Sequence, residues 1–345
     1  IPQSLAYAML AGLPPEVGLY ASILPLFAYA LFGSSMTLAV GPVAVVSLMT
    51  AAAVSQVATQ GSPEYLGAAI LLGLLSGIIL MGLGFARAGF LANLLSHPVI
   101  SGFISASAVL IAFSQLKHIL GVPVHGHDMP SILHDLATHL DDTNLPTLII
   151  GVLSITFLFW VRSGLKPLLM KTGMPSGIAG TVTKAGPVMA VIVSTAVVSL
   201  FALNQSGVSI VGVIPEGLPV PTFPDLDLTL AKELLPAAFL ISIVGFVESV
   251  SVGHTLAARR RERIQPNQEF IGLGAANIAS GLGGGFPVTG GFSRSVVNFD
   301  AGARTPLAGV MTAVMIALTA LFLTPLFEYL PKAVLAATVI VAVLS

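Results

Sequence analysis

Long apolar runs separated by short polar stretches dominate the chain. A helix that crosses the hydrocarbon core of a membrane needs about 20 predominantly apolar residues, and residues 66–86 and 306–327 meet this requirement. Within the first run, Gly73 and Gly77 form a small-xxx-small pattern that favours close packing between membrane helices. Further predicted segments, which carry more polar residues, are 1–13, 18–32, 99–116, 146–161, 187–203, 235–257, 270–282 and 333–344.

Two glycine-containing breaks interrupt this apolar pattern, one at Gly41 and Pro42 and the other at Gly290 and Gly291. Each break has an extended or turn-like approach and precedes a run that is compatible with a short helix. In a membrane, broken backbone is tolerated only where it is buried in protein or lines a cavity, and a matched pair in the two halves of a transporter points to the substrate site. The alternative is a pair of ordinary Pro/Gly kinks, which are common in membrane helices. The short helices are predicted at 42–54 and 291–299, which brings the total to about twelve membrane segments.

The composition indicates a polytopic all-α membrane protein. Hydrophobic residues make up 55% of the chain and charged residues 8%, with a mean hydropathy of +0.96, whereas a soluble domain carries about 25% charged residues. The net charge of −1 gives no reason to expect a nucleic-acid partner. The chain has no cysteine, which excludes disulfides and cysteine-based metal sites. Because the chain opens at Ile1 without a signal peptide and ends inside an apolar run, we expect a fragment of a longer protein.

The charged loops predict the orientation of the chain in the lipid bilayer. Most cationic residues fall between segments on one side, which the positive-inside rule assigns to the cytoplasm, and most acidic residues fall on the other side. We therefore expect a multi-pass protein of a cell inner membrane. The cationic residues on the predicted cytoplasmic side are Arg87, Arg162, Lys166, Lys171, Lys184, Arg259, Arg260, Arg261, Arg263 and Arg304.

If the two breaks are equivalent members of an inverted repeat, the N-termini of their short helices point toward each other. Each N-terminus has unpaired N–H groups and about half a positive charge, so the space between them favours an anion. Gly41, Gly290 and Gly291 allow close approach of the backbone. Pro42 suits the first turn of a helix. Arg294 adds a full positive charge one turn into the second short helix, and the alternative is an arginine that reaches an interface as a structural anchor.

Glu248 is the second charged residue at membrane depth, within the run 235–257. Removal from water favours the protonated form of an isolated carboxyl group, and intramembrane acids mark ion pathways. We interpret Glu248 as a proton-coupling residue. Two alternatives are a cation ligand, with Ser251 supplying a further oxygen, and a structural salt bridge with Arg294.

Three polar side chains occur in the first half-helix. Gln3 and Tyr7 are four positions apart and share a face of the helix. Gln3 could donate a hydrogen bond to an oxyanion, and Tyr7 could close the pocket. The alternative for these side chains, and for Ser4, is packing between helices.

Other polar clusters give weaker indications of chemistry. His125, His127 and Asp128 could bind zinc adventitiously, but we interpret residues 121–144 as a solvated loop because no second pair of ligands has metal spacing. The basic stretch 259–263 is expected to set topology and to contact anionic lipid. No Walker A motif, nucleophile elbow or HExxH motif occurs, so we expect no enzyme activity, no cofactor and no metal site.

The chain opens on IPQSLAYA at 1–8 and GLPPEVGLYAS at 12–22, and it carries GPVAV at 41–45, NIASGLGG at 277–284 and FSRS at 292–295. These stretches closely resemble the SulP sulfate permease-type anion transporters. The resemblance implies an all-α 7+7 inverted-repeat fold that is shared with nucleobase permeases, of which this chain holds about 12 of 14 segments. It also places proton coupling at Glu248. The residues that it implies for binding a small inorganic or organic anion are Gln3, Tyr7, Val43, Ala44, Phe292, Ser293 and Arg294, beside Gly41, Pro42 and Gly291 of the breaks.

The same resemblance implies two inverted repeats and two domains. We expect the first half of the first segment, the last two segments and the family's STAS domain to be missing from this chain. We also expect a homodimer, with the missing STAS domain as a candidate contact. The expected first repeat is 1–227, the incomplete second repeat is 228–345, the core domain combines 1–85 with 228–323, and the gate domain combines 94–203 with 330–345.

The leading hypothesis is a secondary transporter for sulfate, a dicarboxylate or bicarbonate, coupled to protons and working by elevator-type alternating access. Glutamate at position 248 is similar to proton-coupled bacterial members, whereas sodium-coupled relatives tend to carry aspartate there. One alternative is an anion channel, exchanger or voltage-responsive motor-like protein. A nucleobase permease is less favoured, because that class normally has acids on both the eighth and the tenth segments, and Arg294 takes the place of the second acid.

Overall fold

The computed structural model describes residues 1–91, 97–124, 129–219 and 227–344. These residues form helices of very different lengths and a two-stranded antiparallel sheet. The elements are α1 (Pro2–Leu10), α2 (Pro15–Tyr20), α3 (Leu24–Phe32), β1 (Val40–Gly41), α4 (Ala44–Val54), α5 (Pro63–Phe85), α6 (His97–Leu120), α7 (Met129–Thr138), α8 (Leu145–Trp160), α9 (Lys166–Lys171), α10 (Ser176–Lys184), α11 (Gly186–Leu200), α12 (Leu228–Arg260), α13 (Pro266–Leu282), β2 (Thr289–Gly290), α14 (Phe292–Asp300), α15 (Leu307–Phe322) and α16 (Lys332–Val343).

The chain divides into two compact units. The first unit contains both strands, with helices α2–α5 and α12–α15. In the second unit, α8 packs against α11 and α16, and the Val211 N–H donates to the Leu330 carbonyl at 2.9 Å. The first unit comprises Ile1 with residues 3–105 and 216–322, and the second comprises Pro2 with residues 106–215 and 323–345.

Side-chain caps determine where several long helices begin. Asp227 accepts a hydrogen bond from the Thr229 N–H at 2.8 Å, and Ser62 accepts one from the Tyr65 N–H at 3.2 Å. Each cap satisfies an N–H group that has no partner in the first helical turn. Helix α12 therefore begins at Leu228, and it extends over 33 residues. The predicted segment 235–257 began too late, because the capped first turns are polar and hydropathy alone does not indicate them.

Small residues let α5 and α13 pack closely within the first unit. A Cβ atom on Gly77 would lie 2.7 Å from the Ile278 backbone nitrogen and 2.9 Å from the Gly274 carbonyl oxygen. Both distances are below contact range, so a larger residue at position 77 would separate the two helices. The small-xxx-small prediction for α5 is confirmed at Gly77, and close van der Waals packing of this kind is what holds helices together in lipid.

By length and composition, four helical stretches of the described chain are suited to crossing a membrane, and one bent pair makes a fifth. Highly exposed apolar side chains such as Leu31 (79%) and Leu200 (81%) are typical of a lipid-facing surface. The predicted segment 306–327 was too long, because α15 ends at Phe322 and a 3₁₀ turn containing Pro325 follows. The four stretches are Pro15–Phe32, Pro63–Phe85, Leu145–Lys171 and Leu228–Arg260, the bent pair is Ser176–Lys184 with Gly186–Leu200, and shorter apolar helices are Ala44–Val54, Ser105–Leu120, Leu307–Phe322 and Lys332–Val343.

Polar regions that were predicted as loops also contain helices. The region 121–144 includes α7, in which Ile132 and Leu136 are buried four positions apart. Because this amphipathic pattern is short and lies among polar residues, the sequence did not indicate a helix there. His125, His127 and Asp128 of the weighed zinc site lie outside the described residues.

Candidate functional site

The two glycine-containing breaks meet in the first unit. Strand β1 pairs antiparallel with β2, with Val40 opposite Gly290 and Gly41 opposite Thr289. Helices α4 and α14 begin directly after these strands, with Val43 and Gly291 as their N-caps. A Cβ atom on Gly291 would lie 3.3 Å from Cγ1 of Val43. The fold therefore brings the N-termini of the two short helices side by side, although their residues are about 250 positions apart.

Hydroxyl groups hold β2 in place against α12. The Gly290 N–H donates to Ser249 Oγ at 2.8 Å, Ser249 Oγ lies 2.6 Å from Thr289 Oγ1, and Thr289 Oγ1 donates to the Gly245 carbonyl at 2.5 Å. The direction that satisfies every group runs from the Gly290 N–H through Ser249 and Thr289 to the Gly245 carbonyl. Because broken backbone inside a membrane must have its polar groups paired, this chain of bonds makes the second break stable.

Asn277 of α13 anchors the approach to β2. Its side-chain oxygen accepts from the Val288 N–H at 2.9 Å, and its Nδ2 donates to the Val288 carbonyl at 2.9 Å. The reciprocal pair imitates a strand ladder and satisfies both backbone groups of Val288. Neither Ser249 nor Asn277 was assigned a role from the sequence, because a serine or an asparagine within a membrane helix is typical of ordinary helix packing.

The first break is held mainly by α14. The Ala39 N–H donates to Ser295 Oγ at 2.9 Å, Ser295 Oγ donates to the Gly291 carbonyl at 2.6 Å, and the Gly291 N–H donates to the Ala39 carbonyl at 3.0 Å. The N–H groups of Gly290 and Gly291 are thus engaged inside the protein. Since the first N–H groups of a helix have no intrahelical partner, those of α4 and α14 are the remaining candidates for binding an anion.

Arg294 links the two breaks. Its Nη2 donates to the Pro42 carbonyl at 2.6 Å, so that the guanidinium group lies across the end of β1. A Cβ atom on Gly41 would lie 2.9 Å from Nη1 of Arg294, so a larger residue there would displace the guanidinium group. The prediction that Pro42 occupies the first turn of the short helix was wrong. Pro42 precedes the N-cap Val43, where a fixed φ is equally acceptable, and its carbonyl serves as the acceptor for Arg294.

Glu248 lies on α12, one residue before Ser249. Its Oε2 atom is buried and has no hydrogen-bond partner within the described part of the chain. The carboxyl group is close enough to Arg294 and Tyr7 to interact with them electrostatically. Oε2 makes no hydrogen bond to Arg294 in this conformation, which does not favour the alternative of a structural salt bridge. An unpaired buried carboxyl oxygen is expensive in a membrane, which makes Glu248 a candidate functional residue.

The remaining predicted site residues lie on or directly beside α1, α4 and α14. Tyr7 is buried, Gln3 is half-buried beside it on α1, and Phe292 and Ser293 open α14 with exposed side chains. Ser4 hydrogen-bonds to Ser22 Oγ at 2.8 Å, so it joins α1 to the end of α2 as packing predicts. Val43 and Ala44 are buried at the start of α4 and present apolar side chains beside the N–H groups of the helix.

Sequence comparisons place the whole chain among known proteins. A family model described as the sulfate permease family matches residues 1–345. Sulfate transporter 4.1, chloroplastic, of Arabidopsis thaliana is 40% identical over 344 residues, which cover 99% of this chain and 49% of that protein. A probable sulfate transporter of Mycobacterium tuberculosis is 37% identical over 344 residues, which cover 100% of this chain and 59% of that protein. The chain spans about half the length of the curated relatives it matches.

Two solved structures share the fold. The overall structure of SLC26A9 superposes with a TM-score of 0.87 at 29% identity, covering 99% of this chain and 55% of that one. The transmembrane domain of a cyanobacterium bicarbonate transporter, BicA, superposes with a TM-score of 0.86 at 22% identity, covering 100% of this chain and 84% of that one. The expected all-α polytopic fold class is confirmed.

Proposed function

Because the chain belongs to the sulfate permease family, we propose that it forms the substrate-binding part of a secondary transporter for small anions. The anion lies between the N-termini of α4 and α14, beside Arg294. The observation that carries this proposal is the position of the Arg294 guanidinium group across the end of β1, where Nη2 binds the Pro42 carbonyl. Relatives named sulfate transporters suggest sulfate as the first substrate to test.

Electrostatics favour an anion over a neutral substrate at this position. Each helix N-terminus contributes about half a positive charge, and Arg294 contributes a full one. The Pro42 carbonyl takes one of the five N–H donors that a guanidinium group carries, and the fork geometry of such a group matches an oxyanion. A neutral nucleobase would not compensate this positive charge, so the nucleobase permease remains the less favoured alternative.

We further propose that Glu248 couples anion transport to protons. Its unpartnered Oε2 lies within electrostatic range of Arg294. A proton on Glu248 removes a negative charge close to the bound anion, so that proton and anion uptake support each other. Such a transporter is a symporter in which Glu248 is neutral when the anion is bound.

The mechanism that fits two compact units is elevator-type alternating access, with the first unit carrying the anion. We also propose that the protein lies in a cell inner membrane as a homodimer, with a STAS domain, which the family resemblance implies, as a candidate contact.

Transport by the full-length protein in proteoliposomes tests the anion site. Arg294→Ala removes a charged hydrogen-bond donor, which is worth about 1.5–3 kcal/mol, so the concentration for half-maximal sulfate uptake should rise by roughly 10- to 150-fold. Arg162→Ala is the matched control, because Arg162 is an exposed arginine of the second unit. Wild-type uptake by Arg294→Ala would contradict the proposed site. A panel of sulfate, bicarbonate, fumarate and chloride, with and without a proton gradient, identifies the substrate and the coupling ion.

A further inference from the structure

A cavity of about 370 Å³ lies in the first unit and includes none of the candidate transport residues. Three chain segments line it: residues 34–37, which lead into β1, residues at 257–264, where α12 turns into α13, and Arg304, which follows α14. The positive-inside rule assigns Arg263 and Arg304 to the cytoplasmic side. The cavity is large enough for a small organic ligand rather than a bare ion.

Buried hydrogen bonds fix the wall formed by residues 34–37. Glu269 is completely buried, and its Oε1 accepts from the Ser34 N–H at 2.9 Å, from Ser34 Oγ at 2.6 Å and from the Ser35 N–H at 3.0 Å. Tyr29 donates to the other carboxylate oxygen at 2.8 Å. This wall is therefore formed before any ligand arrives.

Arg260 fixes the opposite wall. Its guanidinium group donates to the Ala303 carbonyl and, at 2.8 Å, to the Phe299 carbonyl, and it lies 4.2 Å above the centre of the Phe299 ring. A cation at the last carbonyls of a helix also interacts favourably with the helix dipole. Because Arg260 of α12 holds Ala303 in this way, its neighbour Arg304 is held in the lining of the same cavity as Arg263.

The charges around the cavity favour an anionic ligand. Arg263 and Arg304 line it, are exposed, and have no hydrogen-bond or ion-pair partner within the described ranges. Glu262 is the single carboxylate of the lining, which leaves an excess of positive charge. Pairs of guanidinium groups suit phosphate, because each offers a planar fork of donors to its oxygens.

We propose that this cavity is a second anion site, which binds a phosphate-bearing ligand, either the headgroup of an anionic lipid or a soluble phosphate compound. The ligand would connect the segment that enters β1 with the segment that leaves α14. It would thus stabilise both breaks from outside the transport site. The proposal does not depend on Arg294 or on transport, and it gives the basic stretch 259–263 a role beyond topology.

Thermal unfolding of the purified full-length protein in a neutral detergent tests this site. Inorganic phosphate and short-chain phosphatidic acid are titrated separately, and a ligand that binds the folded state raises the unfolding temperature with its concentration. We expect a saturable increase with at least one probe. A shift with phosphatidic acid alone identifies a lipid headgroup, and a shift with inorganic phosphate identifies a soluble source.

Variants separate this cavity from the transport site. The double variant Arg263→Gln/Arg304→Gln should weaken the apparent affinity for the active probe at least tenfold, whereas Arg259→Gln, an exposed arginine outside the lining, should not. Arg294→Ala should retain the shift, which shows that the probe does not act through the transport site.

Glu262→Gln gives a test of opposite sign, since removal of the carboxylate should tighten binding several-fold. This result is informative even if the double variant folds poorly. Absence of a shift with both probes would overturn the proposal. A shift that persists unchanged in the double variant, or that disappears in Arg294→Ala, would also overturn it.

Discussion

The two breaks pair with each other in one antiparallel sheet, but they are built from different chemistry. The second break is fixed by side chains of two long helices, through Ser249 of α12 and Asn277 of α13. The first break has its Ala39 N–H and carbonyl bound by α14 instead, and Val43 and Ala44 present apolar side chains. The two breaks therefore differ in the polar groups that bind their backbone.

This difference suggests a division of roles between the two breaks. The second break supplies the fixed charge, since Arg294 belongs to α14, and Glu248 lies beside the serine that anchors it. The first break supplies space, because Gly41 leaves room for the guanidinium group, and it supplies an acceptor at Pro42. Changes on the second break should therefore alter chemistry and stability, whereas changes on the first should alter the fit of Arg294.

The largest effect is expected when the carboxyl group beside the second break is replaced. Glu248→Gln keeps the size of the side chain but cannot take up and release a proton, so accumulation driven by a proton gradient should fall by about a hundredfold or more. Binding of sulfate should persist, because Arg294 is unchanged. Uptake with and without an imposed gradient measures this. Glu233→Gln, an exposed glutamate on the same helix, is the control, and equal stimulation of Glu248→Gln and wild type by the gradient would remove the coupling role.

A smaller effect is expected when a methyl group is added to each strand in turn. In Gly41→Ala the new Cβ would lie 2.9 Å from Nη1 of Arg294, so the guanidinium group must move. In Gly290→Ala the new Cβ would lie 2.7 Å from Cδ1 of Leu38, a buried apolar side chain that carries no charge. We expect sulfate affinity to fall about tenfold in Gly41→Ala, roughly 1.4 kcal/mol, and about threefold or less in Gly290→Ala. Equal losses in the two variants would show that the breaks are not specialised in this way.

The smallest effect is expected when the serines that hold the two breaks are replaced by alanine. Ser249→Ala removes an acceptor from the Gly290 N–H and a partner from Thr289, whereas Ser295→Ala removes an acceptor from the Ala39 N–H and a donor from the Gly291 carbonyl. Unsatisfied buried groups cost about 1–3 kcal/mol each. We expect Ser249→Ala to be more destabilising by about 1 kcal/mol, because Thr289 Oγ1 also loses a partner, whereas the Gly291 carbonyl keeps the Ser295 N–H in Ser295→Ala. Thermal unfolding in detergent measures the difference. A larger loss in Ser295→Ala would reverse the assignment of the better-anchored break.

Charge and backbone breaks at membrane depth could be predicted from the sequence. Arg294 and Glu248 are conspicuous because charged side chains are costly within apolar runs. The glycine breaks are visible for a similar reason, since glycine followed by proline or glycine does not continue a helix. The fold class followed from the same features together with the resemblance of the opening stretch to a family.

Pairings between distant segments could not be predicted in the same way. The register that places Gly41 opposite Thr289 depends on how the two halves of the chain meet. Ser249, Asn277 and Ser295 are polar residues of ordinary type, and only their distances to the strands show what they bind. Pro42 suits both the first turn of a helix and the position before the N-cap, so the sequence placed the start of the short helix at Pro42 instead of Ala44.

The pairing of β1 with β2 also has a consequence for how the protein is made. Pro42 and its partner Arg294 are 252 positions apart, and synthesis proceeds at about 5–20 residues per second, so the first strand waits roughly 10–50 s for the second. During that time its backbone N–H and C=O groups lack their final partners, which is costly in contact with lipid. We therefore expect the nascent N-terminal half to need a wet or protein-lined environment until the C-terminal half is inserted.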